Sequence, residues 1–105
     1  MDWAPDPGWH PTARDWFLSL KDSGQSEWYE PSDLATARYV AEAMSRNLES
    51  SRFSAQLFAA VMSGMTELLT TEGARRRARI ELERTVEQDE PASVAIMAKY
   101  RRAAE

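Results

Sequence analysis

Two apolar runs with helical periodicity, separated by only four polar residues, constrain this chain more than any other feature of it. In the first, Leu34, Ala37, Ala41, Met44 and Leu48 recur at three- and four-residue spacing, which stacks side chains on one face of an α-helix. Ala35, Tyr39, Val40 and Ala43 add a second, weaker stripe. In the second run, Leu57, Val61, Met65 and Leu68 form one stripe, and Phe58, Met62 and Leu69 widen it beyond an ordinary amphipathic face. Pro31-Ser32-Asp33 opens the first helix, with an acid at the positive end of the helix dipole. The spacing predicts helices over 31–48 and 53–70. Joined only by Glu49-Ser50-Ser51-Arg52, they are expected to lie antiparallel. Such a hairpin is over-supplied with apolar surface for its own core. Either flanking helices of the same chain or neighbouring subunits must cover the surplus, and the residues leave both open.

The flanks are also helical. Pro11 suits a first helical position, and Ala13, Trp16, Phe17 and Leu20 carry the pattern until Ser23-Gly24 stops it, giving a helix over 11–23. Residues 25–30 form a short aromatic connection. After Thr71-Glu72-Gly73 a fourth helix is predicted over 72–87, with Ala74, Ala78, Leu82 and Val86 as a thin apolar stripe. Pro91 opens a last helix over 91–104 that ends in Lys99, Arg101 and Arg102. No strand-like alternation is visible. The expected fold is all-α: a central antiparallel helical hairpin with flanking helices, oligomerising. Its parts are an irregular N-terminal arm (1–10), a helical oligomerisation core with a basic fourth helix (11–87) and a C-terminal helix (88–105). At 105 residues this is one domain at most.

The residues offer little to catalysis. There is no cysteine, and the one histidine, His10, is expected to pack or to cap the first helix. Glu81/Glu83 and Asp89/Glu90 are paired acids in charged, exposed surroundings, without the burial that acid–base work needs. The four glycines are scattered singly, so no phosphate-cradling loop exists. No cofactor, metal or enzymatic activity is expected. No apolar run reaches the ~18 residues of a membrane span, and the N-terminus lacks the basic start and apolar centre of a signal peptide. A soluble protein with no membrane partner is expected.

Charge is unevenly distributed. Residues 1–33 carry seven acids and two bases, whereas 71–105 carry seven acids and eight bases, against a net charge of −4 for the chain. The basic feature is Arg75-Arg76-Arg77-Ala78-Arg79 on the fourth helix, followed by Arg84. Arginine's planar fork donates two parallel hydrogen bonds to phosphate. Glu72, Glu81 and Glu83 stand four residues from Arg76, Arg77 and Arg79, so intrahelical ion pairs and a merely solvated face are the competing reading. Three of the four tryptophans fall within the first 16 residues. Trp16 occupies a core-facing position, while Trp3, Trp9 and Trp28 either pack over the core or anchor a partner.

The order of several signals resembles a known family. Trp9-His10-Pro11-Thr12-Ala13-Arg14-Asp15-Trp16 leads to Ser23-Gly24-Gln25-Ser26 and Tyr29-Glu30-Pro31-Ser32-Asp33. Ala41-Glu42-Ala43-Met44-Ser45-Arg46 follows, then the stretch from Leu68 to Arg84 that contains the arginine cluster. Over residues 9–84 the chain is similar to small terminase subunits of tailed bacteriophages from actinobacterial hosts. That resemblance implies a non-enzymatic DNA-packaging adaptor in the host cytoplasm, built as a homo-oligomeric ring. Its partners would be phage double-stranded DNA and the large terminase subunit. Subunit contacts would come from the hairpin, at Leu57, Phe58, Val61, Met65 and Leu68. Where DNA would bind is open between the fourth helix, at Arg75, Arg76, Arg77 and Arg79, and the basic C-terminal helix, with the acidic N-terminal region the least suited surface. The connection at 49–52 is shorter than is usual in that family, and no separate helix-turn-helix module is present. The alternative is a small helical adaptor or dimeric regulator that binds a protein through its tryptophan-rich start.

Overall fold

The computed structural model describes residues 1–88. Four α-helices occupy them: α1 (Pro11–Asp22), α2 (Pro31–Glu49), α3 (Ala55–Glu67) and α4 (Glu72–Gln88), with a 3-10 turn at Gly24–Trp28. No strand occurs among the described residues. The fold is therefore all-α, as the periodicity predicts. The aromatic connection contains the 3-10 turn, and the helix expected over 91–104 lies outside the described residues. The chain divides into two compact units, Met1–Thr71 and a second that begins at Glu72.

In the first unit α2 is the central helix, with α1 and α3 both packed against it. The core joins Trp9, Ala13, Trp16, Phe17 and Leu20 to Ala37, Val40 and Ala41 of α2, and to Val61 and Leu68. The four α1 positions chosen by periodicity are thus all interior. Small residues let α3 approach α2 closely: a Cβ on Gly64 would stand 2.8 Å from Val40 Cγ2. Tyr39, expected on a weak apolar stripe, is instead 79 % exposed.

Several helix ends in the first unit have specific stops. His10 caps α1, its Nδ1 accepting the Thr12 backbone N–H at 3.1 Å. Asp33 reaches back from the first turn of α2 to accept the Glu30 N–H at 2.8 Å. The hairpin turn is clamped by buried Asn47, whose Oδ1 accepts from Ser54 N at 2.8 Å while its Nδ2 donates to Ser54 O at 3.1 Å. Ser54 Oγ in turn caps α3 by accepting the Leu57 N–H at 3.0 Å. At the far end of α3, Leu69 adopts a left-handed φ of 55°. The Leu69 N–H bonds Thr66 O and the Thr70 N–H bonds Met65 O, the pattern of a Schellman stop with leucine where glycine is usual. The Tyr29 hydroxyl donates to the neighbouring Leu68 carbonyl.

The N-terminal arm has no helix, yet it is well held. Asp2 and Asp6 accept from the N–H two residues on, at Ala4 and Gly8, forming side-chain turns. Trp3 packs on Phe17 and Tyr29, with ring centroids 5.2 and 6.2 Å away. Trp9 meets Phe17 edge-on at 5.1 Å, and its indole N–H donates to Glu42 Oε2 at 2.7 Å. Arg38 lies 5.1 Å over the Phe17 ring and donates to the Asp2 carbonyl at 2.6 Å. His10 N–H donates to Ser45 Oγ at 2.8 Å. Trp3 and Trp9 are therefore packing residues. Trp28 is not: it is 83 % exposed.

Candidate functional site

Two surfaces, one in each unit, carry the candidate residues. The first is the outer side of the hairpin. α3 contains a single charged residue, Glu67, and Val61 is its one buried side chain. The five hairpin residues singled out for subunit contact divide by depth. Val61 is 6 % and Leu68 2 % exposed, so both belong to the subunit's own core. Leu57 and Met65 are partly buried against that core. Phe58 is half exposed, together with Phe53, Met62 and Leu48. α1 covers α2, but the outward face of α3 keeps its apolar side chains in solvent.

These side chains border an apolar groove of about 240 Å³, lined by Met44, Leu48, Phe53, Phe58, Met62 and Met65 among others and by no charged residue. Phe53 and Phe58 meet along its lining with their rings tilted by 47° and their centroids 5.9 Å apart. Periodicity could mark Phe58 and Met62 as surplus but could not reveal the groove. Phe53 and Leu48 come into it only through the tight turn that Asn47 clamps.

A second hollow lies across the hairpin, bordered by Tyr39, Glu42, Ala43, Arg46 and Leu57. Glu42 accepts from Arg46 Nε at 2.9 Å as well as from Trp9. The Trp9 indole N–H, then Arg46, hold its carboxyl below the ordinary carboxylate range. Oε2 holds the arm through Trp9 and Oε1 pairs with Arg46 of the same helix, so both acid oxygens have structural tasks.

The other surface is α4. Arg75, Arg76, Arg77 and Arg79 lie in its first two turns. Three of them converge on one acid: Glu72 stands 3.5 Å from Arg75, 3.6 Å from Arg76 and 3.8 Å from Arg79. The pair anticipated between Glu72 and Arg76 forms, whereas Arg79 turns towards Glu72 and not Glu83. Arg77 is exposed and has no ion pair among the described residues. Four arginines against one glutamate leave residues 72–79 with a charge of +3. Exposed pairs of this kind are weak, so phosphate can displace them. Of the apolar stripe expected on α4, Leu82 and Val86 are 66 % and 49 % exposed.

Among the described residues no group of His, Cys, Asp and Glu is placed to hold a metal ion, and no helix is long and apolar enough to cross a membrane. Glu81 and Glu83 are both exposed.

Comparison with known proteins agrees with the order of signals in the sequence. A family model described as phage terminase small subunit matches residues 2–105. The Gene 5 protein of Mycobacterium phage L5 is 32 % identical over 88 residues, covering 79 % of this chain and 57 % of its own length. The Gene 5 protein of Mycobacterium phage D29 is 31 % identical over 80 residues, covering 71 % of this chain and 52 % of its own. The chain thus spans about half the length of the curated relatives it matches. No solved structure matches it. The helical hairpin, the basic fourth helix and a family match across almost all residues lead to one conclusion: the chain belongs to the phage terminase small subunit family.

Proposed function

We propose that this chain is a non-enzymatic packaging adaptor that assembles into a homo-oligomeric ring in the host cytoplasm, binds phage double-stranded DNA and recruits the large terminase subunit. The observation that carries the reading is the exposed apolar face of α3, with Phe58 at 50 % and Met62 at 44 % exposure on a helix that holds one charged residue. A contiguous apolar surface on a small chain marks an interaction site. Phe58 with the outer edges of Leu57 and Met65 would make the subunit contact, while Val61 and Leu68 support it from within. On α4, Arg75, Arg76, Arg77 and Arg79 would contact phosphate. One subunit offers a modest charge of +3 there, and a ring repeats it around a circumference, which turns a weak patch into a strong field.

Native mass spectrometry at low micromolar concentration tests the assembly. A discrete closed multimer of more than two copies supports the ring, and a monomer at every concentration ends it. Changing Arg75, Arg76 and Arg79 to glutamate tests the second surface. Salt-dependent DNA binding that survives this change would show that α4 is a solvated face.

A further inference from the structure

We propose that Trp28 of one copy seats in the apolar groove between α2 and α3 of the next, so that subunits join head to tail. This names the partner of the α3 face and rests on the self-assembly reading above.

Trp28 stands apart from the other tryptophans. Trp9 and Trp16 are buried and Trp3 is packed on Phe17, whereas Trp28 is 83 % exposed. Its backbone is nonetheless fixed. It ends a 3-10 turn in which Tyr29 N–H bonds Ser26 O, and the Tyr29 hydroxyl is tied to Leu68. A solvated indole on a fixed backbone presents its apolar surface at a low ordering cost, since only two side-chain torsions remain to be set, the usual character of an interface anchor.

The groove is a matching receptor. An apolar cavity of about 150 Å³ already admits a benzene ring, so the 240 Å³ available here accommodates a bicyclic one. Its walls include Met44, Met62 and Met65, side chains that adapt to a partner's shape and favour aromatic contacts.

Geometry makes the contact intermolecular. Trp28 precedes Pro31 at the start of α2, while the groove's α2 residues begin at Met44, about 20 Å along the helix at 1.5 Å per residue. In its own subunit Trp28 does not enter the groove: it is not among the residues that line it, and its indole stays 83 % exposed. Because knob and groove are different surfaces, the contact is heterologous, and a heterologous contact closes into a ring when its rotation allows.

Charge agrees with that pairing. Around Trp28, residues 21–33 carry Asp22, Glu27, Glu30 and Asp33 against Lys21, a balance of −3. The turn bordering the groove carries Glu49 and Arg52 and is neutral, and Arg52, next to Phe53, is exposed with no ion pair among the described residues. An acidic knob meets no net repulsion there and finds a cation at the rim. One indole buries at most ~250 Å², against ~800 Å² per partner in a standard interface. Trp28 is therefore the anchor, and Phe53, Phe58 and Met62 supply the surrounding contact.

The test uses the full chain, with native mass spectrometry for size and circular dichroism to verify folding. Trp28→Ala and, separately, Met62→Glu are expected to raise the concentration for half-assembly about thirtyfold or more, with helicity kept. Mixing the two variants is the decisive step. The Met62→Glu copy retains its knob and the Trp28→Ala copy retains its groove, so the mixture should give one-to-one dimers that grow no further. Glu27→Arg should weaken assembly, and adding Arg52→Glu should restore it. If Trp28→Ala assembles like the wild type while Met62→Glu does not, the α3 face is the interface but Trp28 is not its occupant. The head-to-tail contact is then wrong and the ring reading stands. A wild-type chain that stays monomeric overturns both.

Discussion

On α4 three arginines share one carboxylate, which makes Glu72 the informative residue for phosphate binding. Replacing Glu72 with glutamine changes residues 72–79 from +3 to +4 without shortening a side chain. If phosphate lies against this cluster, the acid currently repels it. A unit charge about 7 Å away in water contributes ~0.6 kcal/mol. Freeing Arg75, Arg76 and Arg79 from weak pairs adds a similar amount, because one carboxylate cannot serve all three at full strength. Together these favour DNA binding by about 1 kcal/mol, a gain of roughly fivefold in affinity. Arg77→Ala should instead weaken binding and make the salt dependence shallower by about 0.9 in log–log slope, as for one lost phosphate contact. Fluorescence anisotropy with a labelled duplex, titrated at several salt concentrations, measures both. Circular dichroism serves as control, since an acid in the first turn favours the α4 dipole. Glu72→Gln that binds no better, with helicity intact, would show that the cluster does not face phosphate, whatever Arg77→Ala does.

Three further outcomes are expected. Gly64→Ala pushes a Cβ to 2.8 Å from Val40 Cγ2; overpacking against a stiff β-branched side chain costs ~1–3 kcal/mol, more than the ~1 kcal/mol gained in helix propensity, so urea unfolding should show a net loss that Val40→Ala partly relieves. Tyr29→Phe removes the donor to the Leu68 carbonyl and should cost about 0.5–1.5 kcal/mol by thermal unfolding, with faster amide exchange confined to the end of α3. Glu42 is held below the ordinary carboxylate range first by the Trp9 indole and then by Arg46; the stabilisation is therefore complete above that range and is lost as pH falls through the depressed value. An acid titration followed by NMR should show the Trp9 indole N–H losing exchange protection there, and Trp9→Phe should move Glu42 part of the way back towards the ordinary range, with Arg46 still holding it down.

The readable part of the fold was the part written in helical spacing. Ala13, Trp16, Phe17 and Leu20 all point inward, because one stripe of one helix meets one neighbour. Pro11 and Pro31 mark two helix starts for local steric reasons. What depends on contacts between elements was not legible. Tyr39 fits a stripe by spacing, yet α1 and α3 already occupy the two flanks of α2, and Tyr39 falls outside both. Asn47 sits among other polar residues near the end of α2 with nothing to single it out, and only the fold shows that it closes the turn on Ser54. Trp3 and Trp9 read as packing first and as anchors second, since an irregular segment has no period to say which way a side chain faces. The arginine cluster was legible in composition but not in pairing: the expected Glu72 contact to Arg76 extends to Arg75 and Arg79, which leaves Arg77 as the one member of the cluster with no ion pair among the described residues.

The same contacts show how little of α3 is buried within its own unit. α3 has 13 residues, near the length at which an isolated helix is marginal in water. Its own packing buries Val61, with Leu68 at its cap. What holds it is a set of local fastenings: the Asn47–Ser54 clamp and the Ser54 cap at one end, Tyr29 and the left-handed Leu69 turn at the other, and the Gly64–Val40 approach between them. These fix where α3 lies while leaving most of its apolar surface unused. A helix stabilised only by its own chain would be expected to carry charge on its outer face. α3 carries alanine, phenylalanine and methionine there, the surface that the proposed subunit contact would cover. Burial that arrives through association is a term in folding as well as in assembly, and it would act on the helix that most lacks it.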